Sequence, residues 1–164
     1  LSPANGGPIA VPSQDMVLGI YYITKARPNR LGEGRVFANA QEVMVAYNER
    51  TIDLHARIIL RYNGKAEDYE TAEKDRGAFL ARQSDWVKDE AKRTWLRQQL
   101  SENRVLVTTV GRVLFNEIVP KEAGFINRLL TKSSLRTVIS EIFRVAGQAR
   151  AAQFLDDLKA NRGG

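Results

Sequence analysis

Residues 52–62 read IDLHARIILRY. Ile52, Leu54, Ala56, Ile58, Leu60 and Tyr62 fall on one side of an extended chain, Asp53, His55, Arg57 and Arg61 fall on the other, and Ile59 alone breaks the pattern. Side chains alternate across a strand, so the stretch predicts a strand with one buried face and one wetter face. It is the clearest strand signal in the chain, and the flanking elements are read relative to it.

Upstream, Ser13 is placed to cap a helix, and Asp15 sits in its first turn, where a negative charge suits the helix dipole. Val17, Ile20, Tyr21 and Thr24 form its inner face as far as about Lys25. Gly19 inside that helix costs ~1 kcal/mol relative to Ala, which points to a close backbone approach. Pro28, Gly32 and Gly34 mark a loop. Asn39-Ala40-Gln41-Glu42 resembles a capping box and opens a short helix through Val43, Ala46 and Tyr47.

Downstream, residues 63–103 are dense in charges of both signs, with a thin apolar stripe at Trp86, Ala91, Trp95 and Leu100. They read as a helical insertion that leaves the core and returns. Val105 to Val107 resume the sheet, and Thr109 caps a helix with Val110, Val113, Leu114 and Ile118 inward, stopped by Pro120. Ser133 or Ser134 caps a further helix, with Leu135, Val138, Ile139, Ile142, Phe143 and Ala146 inward and Gly147 at its end. Ala151, Phe154, Leu155 and Leu158 line a second helix, completing a C-terminal hairpin. The expected class is α+β: mainly helical, with a small antiparallel sheet, a helical hairpin and a charged helical insertion. The core domain is discontinuous, 1–62 and 104–160, with 63–103 inserted.

The chain has 164 residues, enough for one domain with a real core. It has no Cys and a single His, which excludes disulfides, thiolate metal sites and multi-His zinc sites. The lack of Cys fits a reducing cytoplasm. A net charge of +6 permits a polyanionic partner without demanding one. No apolar run approaches the ~20 residues of a membrane span, and the opening residues lack the basic-then-apolar pattern of a signal peptide.

Catalytic constellations are missing. His55 is the one imidazole, and no G-x-S-x-G elbow accompanies it. Asp53 and His55 share a strand face, which suits a hydrogen bond far better than a metal. Gly32-Glu33-Gly34 lacks the third glycine of a dinucleotide fingerprint, with Phe37 in its place, and reads as a turn. Glu67, Asp68 and Glu70 alternate with lysines as a solvated face does. Lys25, Arg27, Arg30 and Arg35 form a loose basic loop, open to phosphate contact or to solvation alone. Trp86 and Trp95 suit a partner-docking ridge, a stacking platform or plain packing against the core. On chemistry alone the chain is a non-catalytic basic module, one that binds RNA or a partner through its Trp-bearing segment.

A second layer lies in the motifs. Ser2, Pro3, Gly6, Pro8, Pro12, Ser13, Gln14, Asp15, Leu18, Gly19, Tyr21, Tyr22 and Thr24 carry S-P-x-x-G-x-P followed by P-S-Q-D-x-x-L-G-x-Y-Y-x-T. GEG with Phe37, DLHA at 53–56, TTVGR at 108–112 and NEIVP at 116–120 follow in order. This string resembles the pore domain of the bacterial multisubunit RNA polymerase β′ family, in detail its Bacteroidetes form. The likeness covers 1–62 and about 104–158.

The resemblance implies part of a DNA-directed RNA polymerase, a nucleotidyltransferase, excised from a longer chain and inactive alone. It implies a domain bordering the secondary channel, through which nucleoside triphosphates enter and backtracked RNA is extruded. No residue of this chain is then catalytic or metal-binding. The family's Mg²⁺ is held by the aspartates of N-A-D-F-D-G-D, which is absent here, so no cofactor is expected in this segment. Asn5, Pro12, Ser13, Gln14 and Asp15 are expected nearest the active centre, with Ser13 and Asp15 also serving as helix caps. Lys25, Arg27, Arg30 and Arg112 are candidates for phosphate contact, Arg112 equally for binding a helix carboxylate. Trp86 and Trp95 remain candidates for docking. The implied partners are the rest of β′ and the β, ω and α subunits, with template DNA, RNA and nucleoside triphosphates, in a cytoplasmic, nucleoid-associated setting without a membrane.

Overall fold

Ser13 accepts a hydrogen bond from the amide of Met16 and opens helix α1, Gln14–Thr24. In the computed structural model, which describes residues 12–66, 76, 77, 79 and 88–160, that helix buries Met16, Ile20 and Thr24. Tyr21, expected inward, faces out instead. Ile20 and Thr24 are buried as expected and Val17 packs partly buried against the core, while Met16 takes the inner position expected of Tyr21. Strand β1 is short, Val36–Phe37. Asn39 then caps helix α2, Ala40–Asn48, by accepting from Glu42 N at 2.9 Å, while Glu42 accepts from Ala38 N at 2.8 Å. This is the reciprocal arrangement the local sequence predicts, closed one residue earlier at Ala38.

Strand β2 spans Arg57–Arg61, shorter than the alternating stretch that announces it. Residues 52–56 form turns, held where Asp53 Oδ2 accepts from His55 N at 2.9 Å. Helix α3, Glu90–Ser101, is capped by Asp89. Strand β3, Val105–Thr109, runs directly into helix α4, Val110–Asn116, with Thr109 as the cap. A 3₁₀ turn at Lys121–Ala123 leads to helix α5, Lys132–Ala146. Thr131, not Ser133 or Ser134, caps α5: its hydroxyl accepts from Ser134 N, and Ser134 Oγ accepts from Thr131 N. The box has Ser in the place usually held by Glu or Gln, which hides it from the sequence pattern. Gly147 ends α5 with φ 90°, and helix α6, Gln148–Ala160, completes the expected hairpin.

The class is α+β and mainly helical, as expected, but the sheet is mixed and not all antiparallel. Its order is β1-β2-β3. β1 pairs parallel to β2, Val36 opposite Ile59, because α2 carries the chain back to its starting end. β2 pairs antiparallel to β3, Ile59 opposite Val107.

Three apolar clusters cover this frame. One joins α1, α5 and α6 with the end of α4. A second packs α2 and α4 on the sheet face that carries Ile58 and Leu60. The third covers the opposite face, where Leu96, Leu100 and Phe79 meet Ile59, Val105 and Val107. Ile59 is apolar out of turn for this reason: β2 is buried on both faces. Helix α3 thus packs on the sheet. Its buried positions are Leu96 and Leu100, while Ala91, placed on the stripe by spacing, is exposed. Trp86 and the acidic residues Glu67, Asp68 and Glu70 lie outside the described residues, as does Asn5.

Candidate functional site

Helix α1 is clamped at its C-terminal end by buried polar groups from distant parts of the chain. Arg112 on α4 is only 3% exposed; its Nε donates to Thr24 O at 2.9 Å and its Nη1 to Asn127 Oδ1 at 3.3 Å. Asn127 Nδ2 donates in turn to Val107 O on β3. Thr24 Oγ1 donates to Ile20 O and accepts from Leu130 N at 2.9 Å. Arg112, Asn127 and Thr24 thus each meet a polar partner, as such burial demands. One residue earlier, Gly111 lets α4 approach the last turn of α1, where a Cβ would overlap the carbonyl oxygen of Ile23. The close approach foreseen at Gly19 thus falls at Gly111.

His55 makes the second clamp. It is buried, against the expectation of a wetter face, and its Nδ1 lies 2.8 Å from Lys25 O. A carbonyl only accepts, so Nδ1 carries the proton. The imidazole stands edge-on to Tyr22 at 4.5 Å. Asn116 bridges Arg112 O and Ile126 O through its amide. The motifs TTVGR, DLHA and the Asn of NEIVP thus act here as joints.

The clamps leave the outer stripe of α1 in solvent. Gln14 and Asp15 are exposed at the tip, followed by Leu18, Tyr21 and Tyr22, with Lys25 at the base. Positions 14, 18, 21 or 22, and 25 share one helical face. Pro12 is buried beneath the tip, and Ser13 is committed to capping. Lys25 Nζ lies 5.8 Å from the Tyr21 ring centroid, and the Arg27 guanidinium lies 5.9 Å from that of Tyr22. Arg30 is exposed in the next loop.

The structure therefore sorts the candidate residues. Gln14 and Asp15 stand at one end of an 11-residue helix, with Lys25 and Arg27 at the other, about 16 Å away. Arg112 is buried and ties α4 to Thr24 and Asn127. Trp95 is half-buried against the third cluster, with Arg61 5.9 Å from its ring. Tyr21 and Tyr22 were not singled out by chemistry, although two adjacent aromatics four and five residues before Lys25 and Arg27 are a readable signal. Gly32 and Gly34 have φ near 90° and make the turn expected of them.

Among the described residues, no three His, Cys, Asp or Glu side chains come together to hold a metal ion. No helix among the described residues is long and apolar enough to cross a membrane.

Comparison with known proteins places this architecture. The family described as RNA polymerase Rpb1, domain 3, matches residues 1–161, the segment 63–103 included. The chain is 42% identical over 159 residues to the DNA-directed RNA polymerase subunit beta′ of Chloroherpeton thalassium, and 43% identical over 161 residues to that of Chlorobaculum parvum. In both cases 96% of this chain is covered, and it spans about a tenth of the relative's length. With its whole described fold inside the matched region, the chain belongs to the RNA polymerase Rpb1 domain 3 family.

Proposed function

We propose that this chain is a segment of the β′ subunit of a DNA-directed RNA polymerase, and that it lines the route by which nucleoside triphosphates reach the active centre and backtracked RNA leaves it. The observation that carries the reading is the mounting of α1. A helix clamped at one end by Arg112, Thr24 and His55 presents Gln14 and Asp15, both exposed, at its other end. Such a tip is preorganised, so contact with a passing substrate costs little ordering of the helix that bears it.

Gln14 both donates and accepts hydrogen bonds, which suits the sugar or base of an incoming nucleotide or RNA end. Asp15 and Ser13 hold the first turn. The chain's own residues position and guide; the Mg²⁺ and its nucleotidyl transfer belong to parts of the enzyme outside it. The remaining β′ and the β, ω and α subunits, with template DNA, are the partners, in the bacterial cytoplasm at the nucleoid.

The test is Gln14→Ala in the assembled polymerase. The expected result is a several-fold rise in the KM for nucleoside triphosphates, with subunit assembly intact. An unchanged KM, together with an unchanged rate of cleavage of RNA backtracked by one nucleotide, overturns the reading.

A further inference from the structure

The exposed stripe of α1 ends in an arrangement that channel lining alone does not require. Tyr22 is 52% exposed yet braced edge-on by the buried His55 ring. Tyr21 lies beside it, with Lys25 and Arg27 near the two rings. Among the described residues, none of Lys25, Arg27 and Arg30 is held in an ion pair. Asp53 and Glu33 are engaged with backbone: Asp53 accepts from His55 N, and Glu33 accepts from Asn29 N at the surface. Fixed aromatic faces interleaved with uncommitted cations match one ligand chemistry, a flexible polyanion that carries flat rings.

The geometry points to the Tyr21–Tyr22 platform, with Lys25, Arg27 and Arg30, as a binding subsite for single-stranded RNA. Bases stack on the tyrosines and phosphates lie against the three cations. This rests on the channel reading above and adds a distance to it. The platform lies about 16 Å from the Gln14 tip along one continuous stripe. A strand stacked at ~3.4 Å per nucleotide crosses that gap with about five nucleotides. RNA displaced by a single nucleotide reaches the tip alone, while RNA displaced by five or more reaches the platform.

The experiment uses assembled polymerase halted on a defined template, with RNA backtracked by one and by five nucleotides. The occupancy of each position is read by exonuclease footprinting. Tyr21→Ala and Lys25→Gln are expected to lower occupancy of the five-nucleotide state about fivefold or more, the loss of one stacked base, and to leave the one-nucleotide state unchanged. Tyr21→Phe keeps the ring and is expected to restore the five-nucleotide state. Tyr21 is chosen over Tyr22 because Tyr22 also packs on His55.

Unchanged five-nucleotide occupancy in both Tyr21→Ala and Lys25→Gln overturns the subsite. So does a loss of assembled enzyme with both states unaffected, which makes the stripe a subunit contact. Failure of the channel reading is separate: it is the case in which Gln14→Ala also alters neither KM nor the one-nucleotide state.

Discussion

Replacing Gly111 with Ala tests the joint on which the mounting of α1 depends. Gly111 lies in the first turn of α4, and its amide donates to Leu54 O at 2.8 Å. A methyl group there would overlap the carbonyl oxygen of Ile23 and lie 3.0 Å from its carbonyl carbon and 3.3 Å from its Cγ2. The first two of these atoms are backbone, so no rotamer change relieves the overlap. If α1 stays in place, overpacking costs about 1–3 kcal/mol. If α1 retreats, the bonds of Arg112 to Thr24 O and His55 to Lys25 O lengthen, and together these are worth about 2–4 kcal/mol. Against either stands ~1 kcal/mol gained by removing a helical glycine. The expected net loss is about 1–2 kcal/mol, or a melting point lower by about 2–8 °C for a chain of this size. Urea and thermal unfolding of the 164-residue chain, followed by circular dichroism, measure it. Gly77→Ala, where a Cβ meets no atom within 4 Å, serves as the control and should be neutral or slightly stabilising. A Gly111→Ala midpoint equal to or above that of the parent refutes the close-approach argument.

Two further outcomes follow from packing and charge. Leu96→Ala, at a fully buried position against Ile59, Val105 and Val107, should destabilise the same chain by about 2–5 kcal/mol in urea; a loss under about 0.5 kcal/mol would mean that α3 does not help to hold the sheet. The Arg144 guanidinium hydrogen-bonded to Glu141 holds that carboxyl below its usual value. A depressed carboxyl contributes stability that is complete above its unfolded pKa of ~4.3 and lost as pH falls through the lower folded value. Glu141→Gln should therefore flatten the acid limb of the stability curve below about pH 4 and leave the neutral region almost unmoved; both groups are exposed, so the effect should be small and should shrink in salt.

Local rules carried much of the fold. The caps at Ser13, Asn39 and Thr109 and the stop at Gly147 were legible because each is settled within four residues. Strand alternation located β2 and flagged Ile59, but it did not say what lay over Ile59. That answer, Leu96 and Leu100, is some forty positions away and hidden in a charged stretch. Parallel pairing of β1 was equally out of reach, since two residues leave no period to read. The candidate site was legible at its tip through the P-S-Q-D motif. Its base is half legible: the charges of Lys25, Arg27 and Arg30 mark it, whereas the helical spacing of Tyr21 points to the core.

The misassignment of Tyr21 and the burial of Arg112 and His55 have a common cause. Charge and polarity suggest exposure, and an aromatic on a helix suggests burial, but both are only averages over environments. Here Arg112 reaches across 88 residues to Thr24, and His55 reaches across 30 to Lys25. Polar residues therefore hold the inner side of the C-terminal end of α1, and the tyrosines are turned outward. The same choice that makes α1 rigid also determines what it shows to solvent. A buried clamp of Leu or Met would join the helix just as firmly, yet it would not fix rotation through directed hydrogen bonds to Thr24 O and Lys25 O. Directed bonds at one end of a helix set the azimuth of every residue along it, and on α1 that azimuth leaves Gln14, Tyr21 and Tyr22 in solvent.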